Sequence, residues 1–288
     1  MKFLLSILTL AGAIHGKIIY AGVNESGGEF GSQNLPGAFG IDYAFINKSA
    51  VDVFVDQEKI NLFRVTFLME RMCPLETGLG STFNETYFDE YADAINYITV
   101  EKGAYALLDP HNYMRYNDPS AQPFSGSVIG NTSDPTAATT EQFGEFWTEL
   151  AGRFVDNPKV IFGINNEPHD MVRPFPTVPL IVLKGYALQL TSLVLANNQA
   201  AIDGIRSTGA EQLILAPGNS WTGGHSWTEG SDPSSALIHQ FVDPLNNTGI
   251  DIHEVSGSSG FSRLSWLRKY FFAYVKYLGE YMPLFFGV

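Results

Sequence analysis

Six short β-rich runs punctuate this chain, at Ile18–Asn24, Asn61–Met69, Ala104–His111, Val160–Asn166, Leu213–Pro217 and Gly249–His253. Stretches of helical period lie between them, at Ala50–Lys59, Phe88–Glu101, Thr140–Phe154, Leu180–Ser207 and Ser234–Phe241. In the second of these, Phe88, Tyr91, Ala92, Ile95 and Ile98 share one helical face. Asp89 and Glu90 favour the positive end of its dipole, and the glycine of "EKG" stops it. Strands separated by helices cannot be joined by tight hairpins, so the alternation predicts a parallel sheet covered by helices.

The residues just past each run narrow the architecture. Asn24-Glu25, Glu70-Arg71, His111-Asn112-Tyr113, Asn166-Glu167, Asn219 to Trp221 and His253-Glu254 all stand at the end of a strand. A doubly wound sheet gathers its ligand at one switch point, whereas in a (β/α)8 barrel every strand's C-terminal end reaches a common site. Six consecutive polar strand ends predict the TIM barrel. The turn after the first run, "GVNESGGEFG", lacks the G-x-G-x-x-G spacing of a dinucleotide fold. Glu76–Thr82, Pro119–Asp134 and Asp170–Pro179 read as long loops that shape a cleft.

A chain of 288 residues, 45% hydrophobic, can bury one large core. Its formal charge of −13 argues against nucleic acid as a partner, because phosphate binding needs clustered Lys and Arg. Residues 1–16 read as a signal peptide: Lys2, the apolar run Phe3 to Leu10, then Ala11-Gly12-Ala13, with Gly16 as a second cleavage candidate. No other stretch offers the ~20 uncharged apolar residues that span a bilayer. Sequons begin at Asn24, Asn47, Asn84, Asn131 and Asn246, in keeping with a secreted glycoprotein, and Cys73 is the only cysteine.

The strand-end residues suggest their own chemistry. Asn166-Glu167-Pro168 sets a carboxyl at a strand tip with an amide before it, and Arg64 and His111-Asn112-Tyr113 supply donors from neighbouring strands. Trp221 and Trp227 offer flat faces. A carboxyl, hydroxyl-binding donors and stacking rings suit a sugar-cleaving cleft. Taken singly, a strand-end Glu can merely cap a helix and an aromatic can merely fill the core. His111, His169, His225 and His253 show no H-x-x-x-H or H-E-x-x-H spacing, so no metal or other cofactor is expected. No G-x-S-x-G marks a serine hydrolase.

Six ordered blocks carry a resemblance: "GVNESGGEFG", "NLFRVTFLMERM", "LLDPHNYMRY", "FGINNEPHD", "LAPGNSWTGGHSW" and "FVDPLNNTGIDIHE". From about residue 18 to 254 the chain resembles the fungal endo-β-1,4-glucanases (cellulases) of glycoside hydrolase family 5. The resemblance implies a (β/α)8 barrel and a retaining secreted enzyme that cuts cellulose or a related β-glucan, as a monomer. Glu167 would be the acid/base, Asn166 would hold the sugar 2-hydroxyl, and Arg64 would keep the nucleophile ionised. His111, Asn112 and His253 would line or brace the site, and Trp221 would be the stacking platform. Mannan, xyloglucan or binding without turnover remain alternatives.

The pattern breaks after Glu254. A retaining enzyme needs a second carboxylate as nucleophile, and the strand-seven Glu block of the family is not recognisable here. Val255 stands where the family's His-x-Tyr has its Tyr. The remaining 34 residues, 255–288, are too few for two strands and two helices, given that such a barrel typically takes ~250 residues. Residues 17–254 are therefore expected to form strands one to six, with the tail foreign to the family. Val255-Ser256 can be encoded GTGAGT, which opens a reading of the tail as translated intron. Glu280, in a Gly-Glu pair, is the only nucleophile candidate the tail offers, and with the family's nucleophile Glu missing the chain as written is expected to be impaired as a glucanase.

Overall fold

The computed structural model describes residues 19–117, 126–171, 180–229, 233–236, 240–253 and 271–274. Residues 1–18, which include the segment read as a signal peptide, Glu254, Glu280 and most of the tail lie outside the described residues. Six parallel strands form one curled sheet: β1 (Tyr20–Glu25), β2 (Leu62–Phe67), β3 (Tyr105–Pro110), β6 (Val160–Gly163), β7 (Ile214–Pro217) and β8 (Thr248–Asp251). Neighbours in the sheet follow chain order, with registers such as Asn24 beside Arg64 and Pro217 beside Asp251. This is the wall of an incompletely closed barrel, as the alternation predicts. A short antiparallel pair, β4 (Arg115–Tyr116) and β5 (Ser127–Val128), stands apart after β3.

The tail contributes one feature that the strand count does not foresee. β9 (Phe271–Tyr274) pairs antiparallel with β1, Val23 lying beside Phe271. The edge of β1 away from β2 is therefore hydrogen-bonded, and by a strand running opposite to the one that closes a parallel barrel.

Side-chain alternation sorts the sheet into two faces. Outward-facing Val23, Phe63, Val65, Phe67, Leu108, Phe162 and Ile214 pack against the helices in the main core. Those helices are α1 (Lys48–Asp56), α3 (Glu85–Asn96), α4 (Thr140–Phe154) and α5 (Leu180–Ser207), with the single turn α2 (Met69–Met72) after β2. α4 begins and ends where the sequence predicts, because Thr139 and Gln142 form a capping box. α3 starts earlier than expected, at a cap supplied by Asn84, and runs on as a π-helical turn over Tyr97–Glu101 before Gly103, at φ +69°, ends it. α4 and α5 cross closely: a Cβ on Gly204 would run into the Gly144 carbonyl oxygen. Of the helix expected over Ser234–Phe241, the described residues hold a 3-10 turn, Ser234–Ala236, and residues 237–239 lie outside the described residues.

Two smaller expectations gain a physical setting. Among the sequon asparagines, Asn47 caps α1 and Asn84 caps α3. Cys73 is buried beside the Ser81 carbonyl, and burial pushes its thiol up to about 12, so it behaves as a core residue.

The starts of β7 and β8 are clamped by a buried ion pair. Arg206 Nε and Nη2 donate to the two carboxylate oxygens of Asp243 at 2.9 and 3.0 Å. Asp243 also accepts from the Leu245 and Asn247 amides and the Thr248 hydroxyl. Burial pushes this carboxyl up, but Arg206 and those three donors outweigh it and hold it far below the carboxylate range. A depressed pKa stabilises the fold above the unfolded value and is lost as pH falls through the folded one. Asp243→Asn is expected to cost about 3–5 kcal/mol at pH 7, measured by chemical denaturation. The gap between wild type and variant should close as pH falls below about 4.

Candidate active site

The inner face of the sheet changes character along the strands. Near their N-terminal ends, Leu62, Leu107, Ile161 and Leu215 form a small apolar cluster with Tyr20, Tyr105 and Leu213. Two residues further on, the same face turns polar. Arg64 follows Leu62, Asp109 follows Leu107, and Asn24, Asp251 and His253 join from β1 and β8. The period of two makes the floor and the site continuous.

Arg64, only 5% exposed, joins three segments. Its Nη1 donates to Asn24 Oδ1 at 3.1 Å, and its Nη2 donates to Asn166 Oδ1 at 2.5 Å and pairs with Asp109 Oδ2 at 2.8 Å. Asp109 Oδ2 also lies 2.9 Å from His111 Nδ1. Burial pushes the Asp109 carboxyl up, but the Arg64 and His111 charges overrule it and the group stays ionised. The amide nitrogen of Asn166 is buried without a protein partner, leaving a donor available at the site.

Glu167 follows at φ +43°, a left-handed conformation that is uncommon for a non-glycine residue. Its side chain keeps 26% exposure, and its Oε1 lies 2.6 Å from His253 Nδ1. On the far side of that ring, His253 Nε2 is 3.2 Å from Asp251 Oδ2. Burial would push the imidazole down, but Asp251 and Glu167 lift it to about 9, so it is an imidazolium at neutral pH. Burial likewise pushes Glu167 up. The His253 hydrogen bond and the charges of His253, Arg64 and His111 outweigh that, and Glu167 is held below its ordinary value.

An aromatic wall rises beside Glu167. His169 Nδ1 lies 2.8 Å from the Glu167 carbonyl oxygen, and its ring stacks flat on Trp221 with centroids 4.5 Å apart. Ser220, Trp221 and Thr222 all take positive φ, and the turn is tied on both sides: Trp221 N donates to Pro168 O, and His253 N donates to Thr222 O. Trp221 remains 44% exposed, so part of its apolar surface stays open beyond the His169 ring that is tied to the Glu167 carbonyl. Tyr113 packs edge-on against both His111 and His169. Burial, then the negative charges of Glu167, Asp109 and Glu29, push its hydroxyl up to about 12, so it stays a donor.

The structure thus gathers Arg64, His111, Asn166, Glu167, Trp221 and His253 at one end of the sheet. Asn112 is placed differently: its amide oxygen accepts from Met69 N and its amide nitrogen donates to Glu70, behind the loop that carries His111. Asp109 and Asp251 join the site without having been named, Tyr113 joins as one of the strand-end donors, and His169, weighed only as a metal ligand, joins as an aromatic neighbour. The strand period could have flagged Asp109 and Asp251, each two residues before a selected histidine on the same face. Nothing in the sequence marks the stacking of His169 on Trp221. Among the described residues, no group of three or more His, Cys, Asp or Glu could hold a metal ion.

A carboxylate, a cationic brace, sugar-sized donors and an open aromatic face at the C-terminal end of a parallel barrel wall define a glycosidase-like site. The sequence matches the family Cellulase (glycosyl hydrolase family 5) over residues 23–280. It is 65% identical over 263 residues to endoglucanase 1 of Robillarda sp. (strain Y-20), covering 88% of this chain and 64% of that protein. It is 36% identical to endo-beta-1,4-glucanase B of Aspergillus niger, covering 90% of this chain and 70% of the relative. Among solved structures, an endo-beta-1,4-glucanase of Xanthomonas axonopodis pv. citri superposes with a TM-score of 0.65 at 31% identity, covering 81% of this chain and 63% of that one. Cel5A (EG2) of Hypocrea jecorina (Trichoderma reesei) does so at 0.64 and 26% identity, covering 83% of this chain and 66% of that one. The chain belongs to glycosyl hydrolase family 5. It spans about two thirds of the length of these relatives.

The His253 geometry makes a pH prediction. A histidine with a raised folded pKa stabilises fully below its unfolded value, near 6.5, and loses that contribution as pH rises through about 9. Stability should fall across that window by on the order of 3 kcal/mol. His253→Gln should remove this step, measured by denaturant titration at pH 6 to 10.

Proposed function

We propose that this protein is a secreted, retaining endo-β-1,4-glucanase in which Glu167 is the acid/base. The observation that carries the reading is the Glu167 carboxylate, partly open to solvent, set against His253 and beside the exposed face of Trp221. Endo-acting relatives at 65% and 36% identity support the substrate class, and the leader pattern supports an extracellular site.

In the first step the Glu167 carboxylic acid gives its proton to the glycosidic oxygen while a carboxylate nucleophile attacks the anomeric carbon. In the second, Glu167 as carboxylate takes a proton from the water that releases the sugar. The free amide N–H of Asn166 meets the 2-hydroxyl, a contact that tightens as positive charge develops on the ring. Tyr113 and His111 line the same sugar site, and Trp221 stacks the neighbouring ring.

An acid must hold a proton, yet the charges of His253, Arg64 and His111 hold Glu167 ionised. A second carboxylate about 5–5.5 Å away supplies both the nucleophile and the like charge that raises the acid's pKa. Arg64, already beside Asp109, is placed to keep that nucleophile ionised. No described residue is assigned the role of nucleophile, and Glu280, outside the described residues, is retained as its candidate.

Purified protein should hydrolyse carboxymethyl-cellulose in preference to mannan or xyloglucan. Glu167→Gln is expected to cut kcat about 10²- to 10⁴-fold with cello-oligosaccharide affinity kept within a few-fold, measured by reducing-sugar release and calorimetry. Loss of hydrolysis in Glu280→Ala assigns the nucleophile, and unchanged hydrolysis removes Glu280 from that role. Cello-oligosaccharide binding by wild type with no hydrolysis at any pH would overturn the catalytic reading in favour of a glucan-binding protein.

A further inference from the structure

Glu70 is a buried acid for which the proposed reaction has no use. It lies in the α2 turn at 2% exposure. Burial pushes its carboxyl up to about 7, against the opposing pull of Asn112, its own and Asn117's amides, and Arg71. Both carboxylate oxygens point to one neighbouring segment: Oε2 accepts from Asn112 Nδ2 at 2.7 Å, and Oε1 accepts from Asn117 N at 3.1 Å. Asn112 closes the ring by accepting from Met69 N at 2.9 Å. Tyr116, the titratable group facing Glu70 from β4, donates its hydroxyl to the Cys73 carbonyl oxygen.

The bridged segment, residues 111–117, is strained. Tyr113, Met114 and Asn117 take φ of +55°, +59° and +104°, and none is a glycine. Left-handed conformations of this kind are costly for non-glycine residues and persist only where surrounding bonds over-determine them. Met114 N donates to Asn165 Oδ1, and Arg115 donates to the His169 and Asp170 carbonyl oxygens. Those bonds hold the middle of the segment, and Glu70 holds Asn112 and Asn117 near its two ends. Between those ends stands Tyr113, and His111 directly precedes Asn112; both interact electrostatically with Glu167.

We propose that Glu70 is a positioning residue: through its two hydrogen bonds it keeps the strained 111–117 loop in the conformation that presents His111 and Tyr113 to the sugar. The inference rests on the glucanase reading for its kinetic readout only. Its defining feature is polarity. The carboxylate faces two donors, so Glu70→Gln turns an amide N–H₂ toward one of them, whereas Glu70→Gln combined with Asn112→Asp reverses the Glu70–Asn112 bond and leaves every donor an acceptor.

The experiment compares wild type, each single variant and the exchanged pair by crystallography of the loop, calorimetry with cellotetraose and kinetics on carboxymethyl-cellulose. Both single variants should displace residues 111–117 and lower kcat/KM about tenfold or more at a temperature where they stay folded. The exchanged pair should restore the loop and recover most of the loss. Recovery by reversal is what a merely structural role would not produce. Single variants with an unmoved loop, an exchanged pair that folds without recovery, or one that does not fold would each overturn the proposal. If wild type shows no turnover, the glucanase reading fails by itself, and the loop conformations of the four proteins still decide the role of Glu70.

Discussion

A guanidinium does not give up its proton at any pH a folded protein meets, so burying Arg64 obliges the chain to surround it with acceptors. Among the described residues, Asn24 on β1, Asp109 on β3 and Asn166 after β6 supply them. These residues are far apart in sequence and adjacent only if the sheet has the order and register observed. The barrel wall therefore has an electrostatic condition on its assembly: the strands must align for the charge at their ends to be satisfied. The same condition sets the Asn166 side chain, and through it the chain entering Glu167.

A second charged chain runs from the opposite edge. Asp251 on β8 holds His253, and His253 holds Glu167. Glu167 thus lies between cations delivered from both sides of the wall, with the Trp221 turn pinned over it by backbone bonds to Pro168 and His253. Positive φ at Glu167, Tyr113, Met114 and Ser220 to Thr222 clusters at this one end of the sheet. Backbone strain collected beside convergent side chains is what a preorganised site looks like, because the rest of the fold bears its cost.

Much of this was legible beforehand. The β-rich runs located all six parallel strands, since a strand buried on both faces leaves little else for a short apolar run to be. The glycine of "EKG" located a helix end, because such stops are local chemistry. Glu167, Arg64, Asn166 and Trp221 were visible as polar or aromatic residues at strand tips. What local reasoning missed depends on distance in space. Asn112 reads as a cleft residue from "PHNY", yet its amide is engaged by α2, an element more than forty positions earlier. β9 lies in the tail read as foreign to the family, and its pairing with β1 crosses nearly the whole chain.

The sequence by itself determined the parallel alternation, the inner-face change from Leu62 to Arg64 and from Leu107 to Asp109, and the family to which the chain belongs. These come from periodicity and from residue types at strand ends, which need no partner to be read. Only the tertiary structure decided which charges meet: that Glu167 is paired with an imidazolium, that Asp251 stands behind it, and that Glu70 underpins the His111 loop. The reason is physical. A side chain's ionisation and role are set by burial and by neighbours within about 4–6 Å, and those neighbours come from elements that the sequence keeps far apart.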